Sequence, residues 1–185
     1  MKSPKLSHRA KQKLYEVNEK GKITGRIIAR KIAHSGEGIK HLAIGVLVFT
    51  ANNEIVLHKR LNTKVGGGTI DYPVTHVLEG ETAEEAAFRC LKNEYGIKEK
   101  IALIKLFGFS YEKVYGDGTC ENEYLIIYRA NYNGKIIPNL KEMEKDIFRV
   151  KFNELLRDIK ENPYKYSVWF QRTIDHLNTK ELLKD

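Results

Sequence analysis

A chain of 185 residues, 42% hydrophobic and 30% charged, carries enough apolar material to bury its own core, so no disulfide or metal staple is needed to fold it. Its net charge of +8 admits nucleic acid, anionic lipid or an anionic small substrate and selects none of them. No window has the apolar length of a membrane span, residues 1–13 hold no hydrophobic stretch of a secretory signal, and Cys90 and Cys120 form no CxxC, so a cytoplasmic protein with two buried thiols is expected.

Lys2, Lys5, Arg9, Lys11 and Lys13 mark residues 1–13 as a basic, flexible arm without the interleaved aromatics of a single-strand binder, and no nucleic-acid partner is expected. No repeat or Pro/Gly/Ser-rich linker divides residues 14–185, which are read as one domain. Leu14 to Val17 and Ile23 to Ala29 flank the turn signal Asn18-Glu-Lys-Gly21, predicting a hairpin, and Leu42 to Thr50 with Glu54 to Lys59 predict a second, central one. After Gly66-Gly67-Gly68 comes a short extended run, Thr69 to Val74. The best-marked element follows: Thr82-x-x-Glu85 is a capping box, Ala83, Ala87 and Leu91 make an apolar stripe, and Gly96 stands where a helix stops. Ile101 to Val114 and Glu121 to Asn131 predict a long hairpin across Tyr115-Gly-Asp-Gly118. A strand at Phe148 to Phe152, a helix at Glu154 to Lys160 and a last helix at Ser167 to Leu183 complete the chain. Strands that outnumber helices without alternating with them point to an α+β fold, a mixed sheet core flanked by helices.

Five residues are of the types that close around a divalent cation: His34, His41, His76, Glu121 and Glu123. Glu121-Asn122-Glu123 lies in a run that reads as a strand, so its two carboxylates share a face and repel unless something positive sits between them. Mixed imidazole and carboxylate ligation suits Mn, Fe or Zn better than Ca. Six histidines would also scatter near acids by chance, and the residues alone leave both readings open.

Gly80-Glu81 followed by Ala86-Ala87-x-Arg89-x-Leu91-x-x-Glu94-x-Gly96-Ile97 resembles the signature helix of the Nudix superfamily, thinned of acids: Cys90 and Asn93 stand where glutamates are usual, and Glu94 remains. From about Leu14 to Trp169 the sequence is similar to the type I isopentenyl-diphosphate isomerases of that superfamily. Ala33-His34 with Lys40-His41-Leu-Ala resembles their two-histidine segment, His76 their third histidine, and Glu121-Asn122-Glu123 their Glu-Asn-Glu. The resemblance implies a Nudix fold and one divalent metal (Mn, Zn or Mg) on the five residues. It implies Mg²⁺ shared between Glu94 and a small diphosphate substrate, with Tyr111 and Glu123 as catalytic groups. Diphosphate contacts fall on Arg30, Lys59 and Lys64, and an isoprenoid-facing aromatic segment on Pro163 to Trp169, with Tyr164 where a tryptophan is usual and Trp169 at its end.

One position departs. The family's acid-base cysteine, two residues before the third histidine, is Val74 here, and a valine neither gives nor takes a proton. Three readings follow: isopentenyl-diphosphate isomerisation with Tyr72, Thr75, Tyr111 or a metal-held water in the cysteine's place; Nudix-type hydrolysis of an isoprenoid or nucleotide diphosphate; and a non-catalytic, metal-stabilised binding module. The isomerase reading keeps the other parts employed.

Overall fold

A computed structural model of the protein describes residues 11–180; Lys2, Lys5 and Arg9 of the expected arm, and Leu183 of the expected last helix, lie outside them. In chain order the elements are β1 (Lys13–Val17), β2 (Ile23–Ala29), α1 (Arg30–Ala33), β3 (His41–Phe49), β4 (Glu54–Arg60), β5 (Ile70–Asp71), β6 (Val74–His76), α2 (Ala83–Tyr95), β7 (Leu103–Val114), β8 (Cys120–Asn131), β9 (Met143–Lys151), α3 (Phe152–Glu161) and α4 (Val168–Thr179). The chain divides into two compact units.

The first holds the described residues up to 44, then 75–86 and 107–126. β1 and β2 form the expected hairpin, closed by Asn18, whose Oδ1 accepts the backbone N–H groups of Lys20 and Lys22, each at 3.0 Å. On its other side β1 meets the start of β3, with Glu16 opposite His41. The four residues of α1 were not anticipated, because one short turn with no side-chain cap leaves no periodicity in the sequence. Thr82 and Glu85 form the expected box: the Thr82 N–H donates to Glu85 Oε2 (2.8 Å) and the Glu85 N–H to Thr82 Oγ1 (3.2 Å).

The second unit holds residues 45–74, 87–106 and those from 127 onward. β4 pairs with β5 and, along most of its length, with β9. The expected run from Thr69 to Val74 is two strands rather than one; it breaks at Tyr72 and Pro73, where proline has no N–H for a ladder. β9 begins at Met143, five residues before the expected Phe148, because its outward-facing charged residues conceal the alternation, and Phe152 opens α3 instead of ending the strand. All nine residues of β3 are buried, as a continuous apolar run implies. Gly45 lets the Tyr72 ring lie against β3: a Cβ there would come within 2.5 Å of it. On α2 the residues at helical spacing, Ala87, Cys90, Leu91, Glu94 and Tyr95, are buried, and Gly96 ends the helix at φ +68°. Glu94 is thus an acid on the apolar face. Cys90 and Cys120 are free, buried thiols.

Candidate functional site

Three short stretches of the first unit bring the histidines together. His34 follows α1 as its C-cap, and its carbonyl accepts the Cys120 N–H (3.3 Å), tying that turn to the start of β8. His41 opens β3 and His76 ends β6. The ring centroids lie 4.7 to 5.0 Å apart. On β8, Glu121 and Glu123 alternate with Asn122 and are both buried, so the carboxylates share the inner face as expected.

Hydrogen bonds decide which nitrogen each ring presents. The Nδ1–H of His34 donates to the Cys120 carbonyl and that of His41 to the Ile39 carbonyl, both at 2.8 Å, which leaves Nε2 as the lone-pair nitrogen of each ring. His34 Nε2 stands 3.2 Å from His76 Nε2. Nitrogens bound about 2.1 Å from one ion lie roughly 3 Å apart, so this spacing suits two ligands of a common cation. Among the described residues His41 Nε2 is buried without a hydrogen-bond partner. Ligand atoms of His34, His41, His76 and Glu121 all lie within 4.8 Å of one another, so these four could hold a metal ion.

Glu123 borders the group. Its Oε1 is 3.0 Å from His76 Nε2 and 3.4 Å from His41 Nε2, while its Oε2 accepts the Tyr111 hydroxyl at 2.6 Å. Burial raises the Glu123 carboxyl, but the His41 and His76 rings outweigh it and hold the group well below the usual carboxylate range. Burial pushes the His76 imidazole down to about 3 against the pull of Glu123, and lowers His34 as well, with His41 adding to the effect. Neutral imidazoles are the form that donates to a metal. The Tyr111 phenol, buried and facing Glu123, is raised well above its ordinary value.

The remaining expected residues are arranged differently. Arg30 donates from Nη1 to Gln12 Oε1 (2.8 Å) in the first unit. In the second unit Lys64 pairs with Glu142 (2.7 Å) and Lys59 with Glu144 (3.5 Å). The Glu94 carboxyl is 8% exposed, and burial lifts it to about 7, with Lys64 and Arg60 pulling it down. Tyr164 is 76% exposed. Trp169 is buried: its indole N–H donates to Asp71 (3.0 and 3.1 Å) and the Arg60 guanidinium lies 4.7 Å above its ring. Tyr72, named as a stand-in for the missing cysteine, is fully buried with its hydroxyl 2.9 Å from Thr173 Oγ1. Val74 heads β6, the strand that ends at His76.

Sequence reasoning missed Asp71, fully buried, which takes Arg60 Nη1 (2.6 Å), Ser167 Oγ (3.0 Å) and the Trp169 indole. It also missed Glu142 and Glu144. The alternation Glu142-x-Glu144-x-Asp146, period two ahead of an apolar run, was the available signal.

The model of the NUDIX domain matches residues 39–170. Two isopentenyl-diphosphate Delta-isomerases of Aromatoleum aromaticum are each 29% identical, isomerase 2 over 80% of this chain and 78% of its own, and isomerase 1 over 84% of both. Among solved structures, a Deinococcus radiodurans protein covers 89% of this chain and 98% of its own at a TM-score of 0.71 and 17% identity, which speaks to fold alone. The chain belongs to the Nudix family and has the expected α+β Nudix fold. No helix among the described residues is long and apolar enough to cross a membrane.

Proposed function

We propose that the protein interconverts isopentenyl and dimethylallyl diphosphate, adding a proton to the carbon–carbon double bond and removing one from the neighbouring carbon. The observation that carries this reading is the placement of Glu123: a buried carboxylate 3.0 Å from His76 Nε2 and hydrogen-bonded to the Tyr111 phenol at 2.6 Å. A carboxylate so placed can take a proton from carbon only where water is excluded, and its 3% exposure meets that condition. His34, His41, His76, Glu121 and Glu123 hold one divalent metal, Mn, Zn or Mg. That ion supplies the positive charge that lets Glu121 and Glu123 lie on one face and steadies the ionised form of Glu123.

Tyr111 orients Glu123 and shares its proton. Among the side chains named to replace the cysteine, it is the one with a hydrogen bond to Glu123, whereas the Tyr72 hydroxyl is committed to Thr173. Following the resemblance, Glu94 would hold the Mg²⁺ of a diphosphate, Lys59, Lys64 and Arg30 would each serve as a phosphate contact, and the exposed ring of Tyr164 is available to the apolar tail or to a developing cation. Trp169 supports that segment from the core.

The second reading, diphosphate hydrolysis, is favoured by Val74, which has no transferable proton. Incubation with isopentenyl diphosphate, Mg²⁺ and Mn²⁺ in deuterated water, followed by NMR, tests both. Deuterated allylic diphosphate is expected; inorganic phosphate replaces the isomerase with the hydrolase, and recovery of unchanged substrate overturns both.

A further inference from the structure

Within the second unit, one buried carboxyl holds the end of the chain against its middle. Asp71 on β5, fully buried, accepts from Arg60 Nη1 (2.6 Å), from Ser167 Oγ (3.0 Å) and from the Trp169 indole N–H (3.0 and 3.1 Å). Beside it the Ser167 N–H donates to the Ile70 carbonyl (3.2 Å). Ser167 is also the N-cap of α4, its Oγ accepting the Phe170 N–H at 3.3 Å, so Asp71 fixes where that helix starts. Just ahead of the cap the chain makes a tight turn. The Lys165 N–H donates to the Asn162 carbonyl and the Tyr166 N–H to the Pro163 carbonyl, both at 3.1 Å, and Gln171 Nε2 donates to the Pro163 and Tyr166 carbonyls, both at 2.9 Å. From this well-tied segment one large ring, that of Tyr164, projects into solvent.

Arg60 organises the loop on its own side in the same way. Its N–H donates to the Thr69 carbonyl (2.9 Å), its carbonyl accepts the Gly68 N–H (3.1 Å) and its Nε donates to the Val65 carbonyl (3.1 Å), so residues 61–69 fold around a single side chain. That loop carries Lys64, whose N–H is held by the Leu61 carbonyl at 3.0 Å. The guanidinium thus serves three segments at once: Nε reaches the loop, Nη1 reaches β5, and its carbon lies 4.7 Å over the ring of Trp169. A lysine has no such fork. A buried ion pair is a weak source of stability, because desolvation offsets its attraction, and what this one fixes is geometry.

We propose that Arg60 and Asp71 are a positioning pair that holds the segment 163–169, which presents Tyr164, at a set place relative to the loop 61–69, which carries Lys64, so that a ligand with an anionic head and an apolar tail meets both at once. Neither residue of the pair touches the ligand. Arg60 acts through the loop and Trp169, and Asp71 through Ser167 and Trp169. This rests on the reading of a hydrocarbon-bearing diphosphate given above, but not on isomerisation.

The test compares two ligands by titration calorimetry with Mg²⁺: methylenediphosphonate, which is head alone, and its isopentyl ester, which adds a five-carbon tail without a double bond. Neither is isomerised, and the carbon bridge resists hydrolysis. In the wild type the ester should bind roughly tenfold tighter or more, the contribution of a tail that finds an apolar surface. Asp71→Asn removes the charge and turns one acceptor into a donor facing Arg60; it should lose most of that tail advantage while head-only affinity stays within about twofold. The double variant Arg60→Met with Asp71→Asn strands no buried charge, so it keeps the test open if the single variant fails to fold, and it should lose the advantage as well. Trp169 is the chain's one tryptophan, and its emission should shift in both variants. A pair with a merely structural role would lower both affinities alike, or the fraction of binding protein, and leave their ratio intact. An intact ratio or an unshifted emission overturns the proposal, as does a wild type that binds the head without favouring the tail. If wild-type protein binds neither ligand, the diphosphate reading itself falls and the positioning pair with it.

Discussion

Glu123 and Glu94 are both buried carboxyls, 3% and 8% exposed, yet they are driven in opposite directions. Burial raises each of them. At Glu123 the Tyr111 hydroxyl donates a hydrogen bond and the His41 and His76 rings lie alongside, and the group sits well below the ordinary carboxylate range. Glu94 has no such neighbours at bonding distance, and it rises to about 7. Burial therefore does not set the charge of a carboxyl; the partners that the fold brings to it do. Glu123 is ionised before any ligand arrives, whereas Glu94 is costly to ionise on its own.

The largest effect that would break this contrast is loss of turnover at Glu123. Glu123→Gln keeps the shape and removes the base, and should lower isomerase turnover by about 10²–10⁴-fold. Val74→Cys should raise turnover, since it restores a second proton-carrying group, and Glu123→Gln in that background should cancel the gain. Product formation followed by NMR reads all three proteins. If Glu123→Gln retains full turnover, or Val74→Cys changes nothing in an already fast enzyme, Glu123 is not the base or another group fills the cysteine's role.

Next in size is the resident metal. His76→Ala removes one of four groups whose ligand atoms lie within 4.8 Å of one another, so elemental analysis should find metal in the wild-type protein and little in the variant. Chelation should also lower the unfolding midpoint of the wild type, because a bound ion stabilises by about 2.7 kcal/mol at a hundred times its dissociation constant. Equal metal content in the two proteins would remove the cation from the account of Glu123. Glu94→Gln should behave differently, weakening Mg²⁺-dependent pyrophosphate binding by about tenfold, one lost charge-assisted contact, while leaving the resident metal in place. Loss of the resident metal in Glu94→Gln would end the division of labour between the two carboxyls.

The histidine cluster was legible from the sequence because its members are rare residue types placed beside strong strand signals, and because they resemble one family's set. The two-residue alternation of Glu121 and Glu123 on β8 needed nothing else. α1 was not legible, since four residues without a cap carry no periodicity, and yet it is α1 that delivers His34. Asp71 was hidden for another reason: its partners Ser167 and Trp169 lie 96 and 98 residues away, and no local pattern reports a contact made by tertiary folding. Glu142 was missed because β9 was begun at Phe148, five residues late. The ion pair to Lys64 became visible only with the loop before β9, which Asn139 pins to α2.

The smallest effect concerns stability rather than turnover, and it sharpens the contrast by adding a buried group of opposite charge type. His58 on β4 is 2% exposed, with Nδ1 3.1 Å from the Tyr95 hydroxyl. Burial, then Arg60 and Lys64, hold its imidazole well below 6.5. The same two cations pull Glu94 down toward its ionised form. Because the folded chain keeps His58 neutral where the unfolded chain protonates it, the unfolded state binds more protons below pH 6.5. Stability from His58 is therefore present in full above that pH and is lost as pH falls toward the depressed folded value, with a slope of at most about 1.4 kcal/mol per pH unit. His58→Gln should flatten the fall between pH 6.5 and 5 relative to wild type, measured by denaturant unfolding with metal removed from both proteins so that the depressed His34 and His76 cancel in the difference. Lys64→Met should change the slope little, since burial is the larger cause at His58. Parallel stability curves for His58→Gln and wild type would mean that His58 is protonated in the fold, with Tyr95 accepting its proton, and that at this position a partner overrides burial as it does at Glu123.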